Sequence, residues 1–450
     1  MSPIRISILF LMLCYACVPA QQVPRASSAD PVSSTDRLKN GSAPGEAGSP
    51  DDLNLLVQQY LASADPKQSE TLLSEIQGQK GVTLEKVEQA IQAGGLYPPQ
   101  PRVGPLHLNL DIEGDPEPAD YALYVPEAYD PAAAYPLIVC LHGAGFTGDS
   151  YLERWQSRLG EKSILACPTM MNGAWWTPEG EALVLAVIED VRSKYRIDPN
   201  RIYLTGMSNG GIGTYLIGIF HADRFAAVAP MAAGIPDEIF PFLLNFSSTG
   251  IYIVHGAKDE VMPVILSRKI SAYLKEHQIP YIYREHEQVH PMAGGHFFPK
   301  DELPALVAWF EGQRRQPYPT RVTSIRDAEH LKPFYWTEIN QAAGEVASVF
   351  GSIFDQEEAE QVKKGDFPSL TAEVKDNRVE VKSERVEKYT LFFNRRLVDF
   401  SKPVAVYTNG QKSFEGRLSE GIPLLLQEAK RRGDRGAFYT ASVTISIKPK

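Results

Sequence analysis

The segment Gly206-Met207-Ser208-Asn209-Gly210 has the composition of a nucleophile elbow, a sharp turn that exposes a serine hydroxyl. An apolar run at residues 202–205 precedes it as a predicted buried strand, and a helical pattern follows through Phe220. Glycines at both flanks avoid clashes in the turn, and the amino end of the helix favours the negative charge that develops in acyl transfer. We therefore predict that Ser208 is a nucleophile. The alternative is a Gly/Ser-rich turn between two buried elements.

A nucleophilic serine needs a histidine base and an acid that orients the base, and after an elbow of this kind the acid comes first along the chain. Asp259 lies just past the strand predicted at 251–254, so we predict that it is the acid, although it could also cap a helix. His296 precedes the last predicted helix of this region and is the predicted base. The alternatives are Asp237, Glu238 and Glu260 for the acid, and His286 and His290 for the base.

Backbone N–H groups must bind the oxyanion of the tetrahedral intermediate. We predict one donor at Asn209, which follows the nucleophile, and one at Ala144, in the loop after the apolar strand predicted at 137–141. Gly145 is the alternative to Ala144, and the glycines of this loop could instead serve only a strand-to-helix turn. Removal of one such donor typically raises the barrier by about 3 kcal/mol.

Four side chains near these groups are predicted to bind substrate. Phe146 and Met207 lie next to the predicted oxyanion donors. Trp175 and Trp176 form a pair on the loop before a long predicted helix, and such rings could stack on a sugar or a phenol. The alternative for the tryptophan pair is packing over the start of that helix.

The chain around these residues alternates short buried strands with helices, which predicts an α/β fold with a mostly parallel sheet covered by helices on both faces. We expect five parts: a signal peptide at 1–20, a disordered linker at 21–50, a short helical segment at 51–97, the α/β catalytic domain at 102–313, and a β-rich accessory domain at 321–450. Strand-like segments around an Asn409-Gly410 hairpin turn indicate antiparallel pairing in the last part.

Residues 120–313 resemble the α/β-hydrolase superfamily, in particular secreted esterases of the feruloyl-esterase, acetyl-xylan-esterase and polyhydroxyalkanoate-depolymerase type. The strongest match is Tyr-Arg-Ile-Asp-Pro-Asn-Arg-Ile-Tyr-Leu-Thr-Gly-Met-Ser-Asn-Gly-Gly at 195–211. Leu-His-Gly-Ala-Gly at 141–145, His-Gly-Ala-Lys-Asp at 255–259 and Gly-Gly-His at 294–296 support it. The resemblance implies an ester hydrolase, acting on a small-molecule or polysaccharide-linked ester. We expect no cofactor.

The amino-terminal residues predict export to the outside of the cell or to the periplasm. One charge at Arg5, a short apolar run and a small-residue cleavage site are typical of a signal peptide. Cys14 and Cys17 leave a lipid anchor open as an alternative. Cys140 and Cys167 lie in apolar strand-like runs, so we expect buried free thiols rather than a disulfide.

Composition excludes other classes of function. The formal net charge of −10 argues against nucleic-acid binding, and no later stretch is long and apolar enough to span a bilayer. No His, Cys and acidic residues have metal-ligand spacing. Two alternatives stay open: a serine peptidase of the prolyl-oligopeptidase type, and a non-catalytic binding protein.

Overall fold

The computed structural model describes residues 50–95, 97–98, 100–112, 117–160, 162–353 and 356–447. The predicted signal peptide, with Cys14 and Cys17, lies outside these ranges, as does the linker before Pro50. No helix in the described ranges is long and apolar enough to cross a membrane.

A central sheet of eight strands has the order β1-β2-β4-β3-β5-β6-β7-β8. The first two strands are antiparallel, and every pair from β3–β4 to β7–β8 is parallel. Every residue of β4 and β6 is buried, as expected for parallel strands with both faces covered. The strands are β1 (Gly104–Leu110), β2 (Ala119–Val125), β3 (Tyr135–Leu141), β4 (Ile164–Pro168), β5 (Ile197–Met207), β6 (Ala227–Met231), β7 (Gly250–Gly256) and β8 (Ile282–His286).

The helices begin and end largely where the sequence predicts. Thr177 caps the fifth helix by accepting the Gly180 N–H, and Pro178 occupies its first turn. Pro241 interrupts the segment before β7, which forms a 3-10 run at Asp237–Ser248 instead of an α-helix. The helices are α1 (Pro50–Ala62), α2 (Pro66–Gly78), α3 (Leu84–Ala93), α4 (Gly148–Leu159), α5 (Pro178–Lys194), α6 (Asn209–Phe220), α7 (Ile265–Glu276), α8 (Leu303–Gly312), α9 (Gln356–Lys364) and α10 (Ile422–Arg432).

The carboxyl-terminal part contains two further sheets, of orders β10-β13-β16 and β15-β14-β12-β11-β9. Asn409 and Gly410 have φ of 50° and 80° and form the predicted hairpin turn between β14 and β15. The expectation of antiparallel pairing throughout is wrong for β12 and β14, which pair in parallel. The strands are β9 (Arg321–Ile325), β10 (Thr337–Ala342), β11 (Ser369–Lys375), β12 (Arg378–Glu384), β13 (Val386–Phe393), β14 (Val404–Thr408), β15 (Gln411–Gly416) and β16 (Ala441–Ser446).

The parts of the chain share buried surface. One cluster of buried apolar residues continues from the central sheet into β9–β16. The amino-terminal helices pack on α10 rather than on the central sheet, with Val57, Ile76 and Ile91 against Leu425 and Leu426. The predicted α/β fold class, with a helical amino-terminal segment and a β-rich carboxyl-terminal part, is confirmed. The domain boundaries stay predictions.

Candidate active site

The turn between β5 and α6 holds Ser208 in a strained conformation. Ser208 has φ 59° and ψ −123°, a backbone conformation that residues other than glycine rarely adopt. Its backbone N–H donates to the Met231 carbonyl at 3.0 Å, which fixes the turn against β6. A Cβ on Gly206 would lie 2.4 Å from the Gly210 oxygen, and one on Gly210 would lie 2.0 Å from the Leu141 oxygen. The two glycines of the motif are therefore required by close backbone contacts.

Asp259 and His296, the predicted acid and base, contact each other directly. His296 Nδ1 lies 2.7 Å from Asp259 Oδ2, and their side chains are 12% and 0% exposed. The other carboxylate oxygen, Oδ1, accepts the N–H groups of Val261 at 2.9 Å and Met262 at 2.8 Å. Burial raises the pKa of Asp259, but hydrogen bonds from His255, His296 and the Met262 N–H outweigh burial and bring that pKa below its usual range. Asp259 is therefore ionised and accepts hydrogen bonds only.

The loops that carry these residues leave the same edge of the sheet. Ser208 follows β5, Asp259 follows β7 and His296 follows β8, and parallel strands end at a common edge. The Gly295 N–H donates to the Lys258 carbonyl at 3.1 Å, and a Cβ on Gly295 would lie 2.4 Å from the Lys258 carbonyl carbon. Glycine at 295 thus allows the histidine loop to lie directly on the aspartate loop.

Three of the alternative residues, His286, His290 and Asp237, have other partners. His286 Nε2 lies 3.1 Å from the Phe297 oxygen, and His290 Nδ1 accepts the Met292 N–H. Asp237 forms an exposed ion pair with Lys269. The contact with Asp259 therefore favours His296 over the other two histidines.

The two predicted oxyanion donors follow β3 and β5, which are neighbouring strands of the sheet. Leu141 at the end of β3 pairs with Gly206 of β5, and a Cβ on Gly143 would lie 3.4 Å from Ser208 Cβ. Ala144 is exposed in this loop, and Asn209 is the first residue of α6. The assignment of their N–H groups to the oxyanion stays a prediction.

Of the two alternatives for Trp175 and Trp176, the structure favours packing over stacking on substrate. Their exposed fractions are 0% and 5%, so neither ring has an open face. Trp175 Nε1 donates to the His142 carbonyl at 2.8 Å, and the ring packs against Gly213 of α6. Trp175 therefore supports the backbone of the loop that carries Ala144.

Phe146 and Met207 are both half-buried near the elbow. The Phe146 ring lies 4.2 Å from the Arg154 guanidinium carbon, which covers one part of it. Substrate contact by either residue stays a prediction. A cavity of about 490 Å³ lies at the opposite edge of the sheet, lined in part by Pro136 and Arg201, and does not adjoin Ser208.

The sequence reasoning missed His255, which is fully buried beside Asp259. Its Nε2 lies 2.8 Å from the Met262 oxygen and 3.4 Å from Asp259 Oδ2, so Nε2 carries a proton. Its Nδ1 lies 2.7 Å from Ser267 Oγ, and that hydroxyl oxygen also lies 3.0 Å from the Ala233 oxygen. His255 thus holds the aspartate loop in place. Its position in the His-Gly-Ala-Lys-Asp segment, four residues before Asp259, was the available signal.

Known proteins similar to this chain include esterases, and no family model matches it. A probable feruloyl esterase C of Aspergillus terreus is 32% identical over 156 residues, which are 32% of this chain and 56% of that protein. Poly(3-hydroxyalkanoate) depolymerase C of Paucimonas lemoignei is 33% identical over 115 residues, 22% of this chain and 28% of that protein. A solved thermostable esterase is 27% identical and covers 47% of this chain and 63% of its own, with a TM-score of 0.39.

The chain spans just over half the length of the feruloyl esterases that it matches. The resemblance to this group of esterases is confirmed by these relatives, and the strand order is that of the predicted fold class. This chain is an α/β-hydrolase-fold protein that is similar in sequence, over a third of its length or less, to feruloyl esterases and a polyhydroxyalkanoate depolymerase.

Proposed function

We propose that the chain hydrolyses carboxylic esters through an acyl-enzyme on Ser208. The observation that carries this proposal is the 2.7 Å contact between His296 and buried Asp259, at the sheet edge where a strained turn presents Ser208. Similarity to proteins named feruloyl esterase and depolymerase supports the same chemistry.

Proton transfer follows from the hydrogen bonds around His296. Asp259 can only accept, so His296 Nδ1 donates to it and Nε2 keeps a lone pair. Nε2 takes the Ser208 proton as Oγ attacks the ester carbonyl, and the N–H groups of Ala144 and Asn209 bind the oxyanion. The imidazolium then donates its proton to the departing alcohol. Water, deprotonated by the same nitrogen, hydrolyses the acyl-enzyme and releases the acid.

The surroundings of the site favour an accessible ester substrate. The only segment between β6 and β7 is the 3-10 run, whose Phe242, Leu243 and Phe246 are fully buried in the core. This segment therefore forms no lid over Ser208. We infer a small-molecule or polysaccharide-linked ester, a feruloyl ester among them, and export of the chain through its amino-terminal segment.

The test is hydrolysis of p-nitrophenyl acetate and methyl ferulate by the wild type and by Ser208→Ala, with labelling by a fluorophosphonate. We expect turnover and labelling in the wild type and loss of both in the variant. Equal turnover in both proteins would overturn the role of Ser208. Absence of turnover and labelling in the folded wild type would favour the binding-protein alternative, and faster cleavage of aminoacyl amides than of esters would favour the peptidase.

A further inference from the structure

Three side chains of types that can bind a metal are far apart in the sequence but meet at the carboxyl end of α6, the helix that follows Ser208. Glu181 belongs to α5, His221 directly follows α6, and His330 ends the short 3-10 turn Ala328–His330 of the carboxyl-terminal part. All three are buried, and one ligand atom of each lies within 4.8 Å of the other two. Across the described ranges, no other three such residues come this close.

His330 is oriented as metal-bound histidines are. Its Nδ1 lies 2.5 Å from Asp327 Oδ1, so the N–H there donates to a carboxylate, the usual outer partner of a ligating imidazole. Its Nε2 then faces Glu181 Oε2 at 2.9 Å. A neutral imidazole would place a lone pair against a carboxylate, so this short separation requires a cation between them, either a proton or a metal ion.

The Nε2 atom of His221 faces the other oxygen of the Glu181 carboxylate. This atom lies 3.0 Å from Glu181 Oε1, within ion-pair distance, but this buried nitrogen does not have the angles of a hydrogen bond to any group in the described part of the chain. A metal bond would satisfy this nitrogen, because coordination requires only its lone pair.

We propose that Glu181, His221 and His330 bind one Zn²⁺ ion. Two imidazoles and a carboxylate are a ligand set typical of zinc. Both Glu181 oxygens face the histidines, so this carboxylate can supply two of four positions. Bonds of about 2.1 Å at near-tetrahedral angles place ligand atoms of different side chains about 3.4 Å apart, so the histidine nitrogens move away from the Glu181 oxygens by about 0.4–0.5 Å.

The charges near the cluster allow the exchange of a proton for a metal ion. Glu181 and Asp327 supply two carboxylates, and the buried guanidinium of Arg326 donates to the Phe220 carbonyl at 3.0 Å nearby. The zinc takes the position of the proton between His330 and Glu181, and both histidines are then neutral. The bound ion would link α5, the end of α6 and the carboxyl-terminal part.

The test uses the full chain after dialysis against a chelator, with Zn²⁺ added alone. We expect one zinc per chain after gel filtration and a rise in Tm of about 5 °C at saturating zinc. The matched pair of variants is His221→Gln and His277→Gln, since His277 is an exposed histidine at the end of α7. We expect at least tenfold weaker zinc binding for the first and unchanged binding for the second.

Two results would overturn the proposal: a folded wild type that binds no zinc, or equal binding by His221→Gln. If His221→Gln does not fold, anomalous scattering at the zinc edge from zinc-soaked wild-type crystals decides. A peak between the three side chains supports the site, and zinc located only elsewhere, for instance at His296, refutes it. Because Ser208 takes no part, ester hydrolysis by the metal-free wild type is a separate outcome.

Discussion

Asp259→Asn is the substitution that most directly tests the assigned hydrogen bonds. The carboxylate faces only donors: His296 and His255 on the side of Oδ2, and the N–H groups of Val261 and Met262 at Oδ1. An asparagine has one acceptor oxygen and an NH₂ group that can only donate. One side of the residue must therefore place donors against donors.

The side that adapts determines the size of the effect. If the amide oxygen keeps the two backbone N–H groups, its NH₂ faces His296 Nδ1 and that nitrogen must become an acceptor. The proton then moves to Nε2, and His296 can no longer accept the Ser208 proton. A catalytic histidine held in the wrong tautomer lowers kcat by about 10⁴, which corresponds to roughly 5 kcal/mol in the activation barrier. KM should change little, because the Asp259 side chain is fully buried.

The assay is steady-state hydrolysis of p-nitrophenyl acetate, with circular dichroism as the check of folding. The matched control is Asp237→Asn, which removes an exposed carboxylate paired with Lys269. We expect the control to keep kcat within a factor of two, because exposed ion pairs contribute little. A folded Asp259→Asn protein with kcat within tenfold of the wild type would refute the tautomer argument and with it the role of Asp259.

Three further predictions concern stability, each measured by urea unfolding. Ser208→Gly should be about 1 kcal/mol more stable than Ser208→Ala, because glycine adopts the φ of 59° without strain; equal stability would show that the turn is unstrained. Ser267→Ala should lower the free energy of unfolding by about 2 kcal/mol, because the hydroxyl lies within hydrogen-bond distance of the Ala233 oxygen and of His255 Nδ1. The control Ser271→Ala should change it little, because the buried Ser271 hydroxyl has no hydrogen-bond partner among the described residues. Equal losses in the two variants would contradict this prediction. Burial raises the pKa of Asp434, but the charge and hydrogen bonds of Arg315 have a larger effect in the opposite direction. They bring the pKa to about 2, below its usual value of 3.8. The depressed pKa gives stability that is present above pH 3.8 and lost as pH falls towards 2, so Asp434→Asn should flatten the dependence there, and an unchanged slope would argue against the pair.

Local features of the chain were predictable from the sequence because local rules govern them. The helix after Ser208 ends at Phe220 as predicted, and Thr177 with Pro178 marks the start of α5. β6 spans Ala227–Met231, and all of its residues are buried, as expected for an apolar run inside a parallel sheet. The contact between Asp259 and His296 followed from chain order and from the common edge of a parallel sheet.

Features that depend on distant parts of the chain were not predictable. Whether a tryptophan ring is open depends on what covers it, and Trp175 is covered by α6 and the loop after β3. Glu181 and His330 are 149 residues apart, so no spacing rule could join them. Strands β9 and β10 pair with β11 and β13, which lie more than 40 residues further along the chain, so no local turn signal joins them.

The carboxyl end of α6 is held by contacts with residues that are synthesised later in the chain. Asn245 donates to the carbonyls of Ile219 and Ile325, Arg326 donates to the carbonyl of Phe220, and the ring of His330 stacks on Phe220 at 3.7 Å. Because the ribosome synthesises the chain from the amino end, the Phe220 carbonyl has no such partner until residue 326 has emerged. The predicted catalytic region at 102–313 therefore lacks these contacts until the residues after β9 have been synthesised. Premature termination before β9 would yield an incomplete scaffold around Ser208 rather than a smaller working esterase.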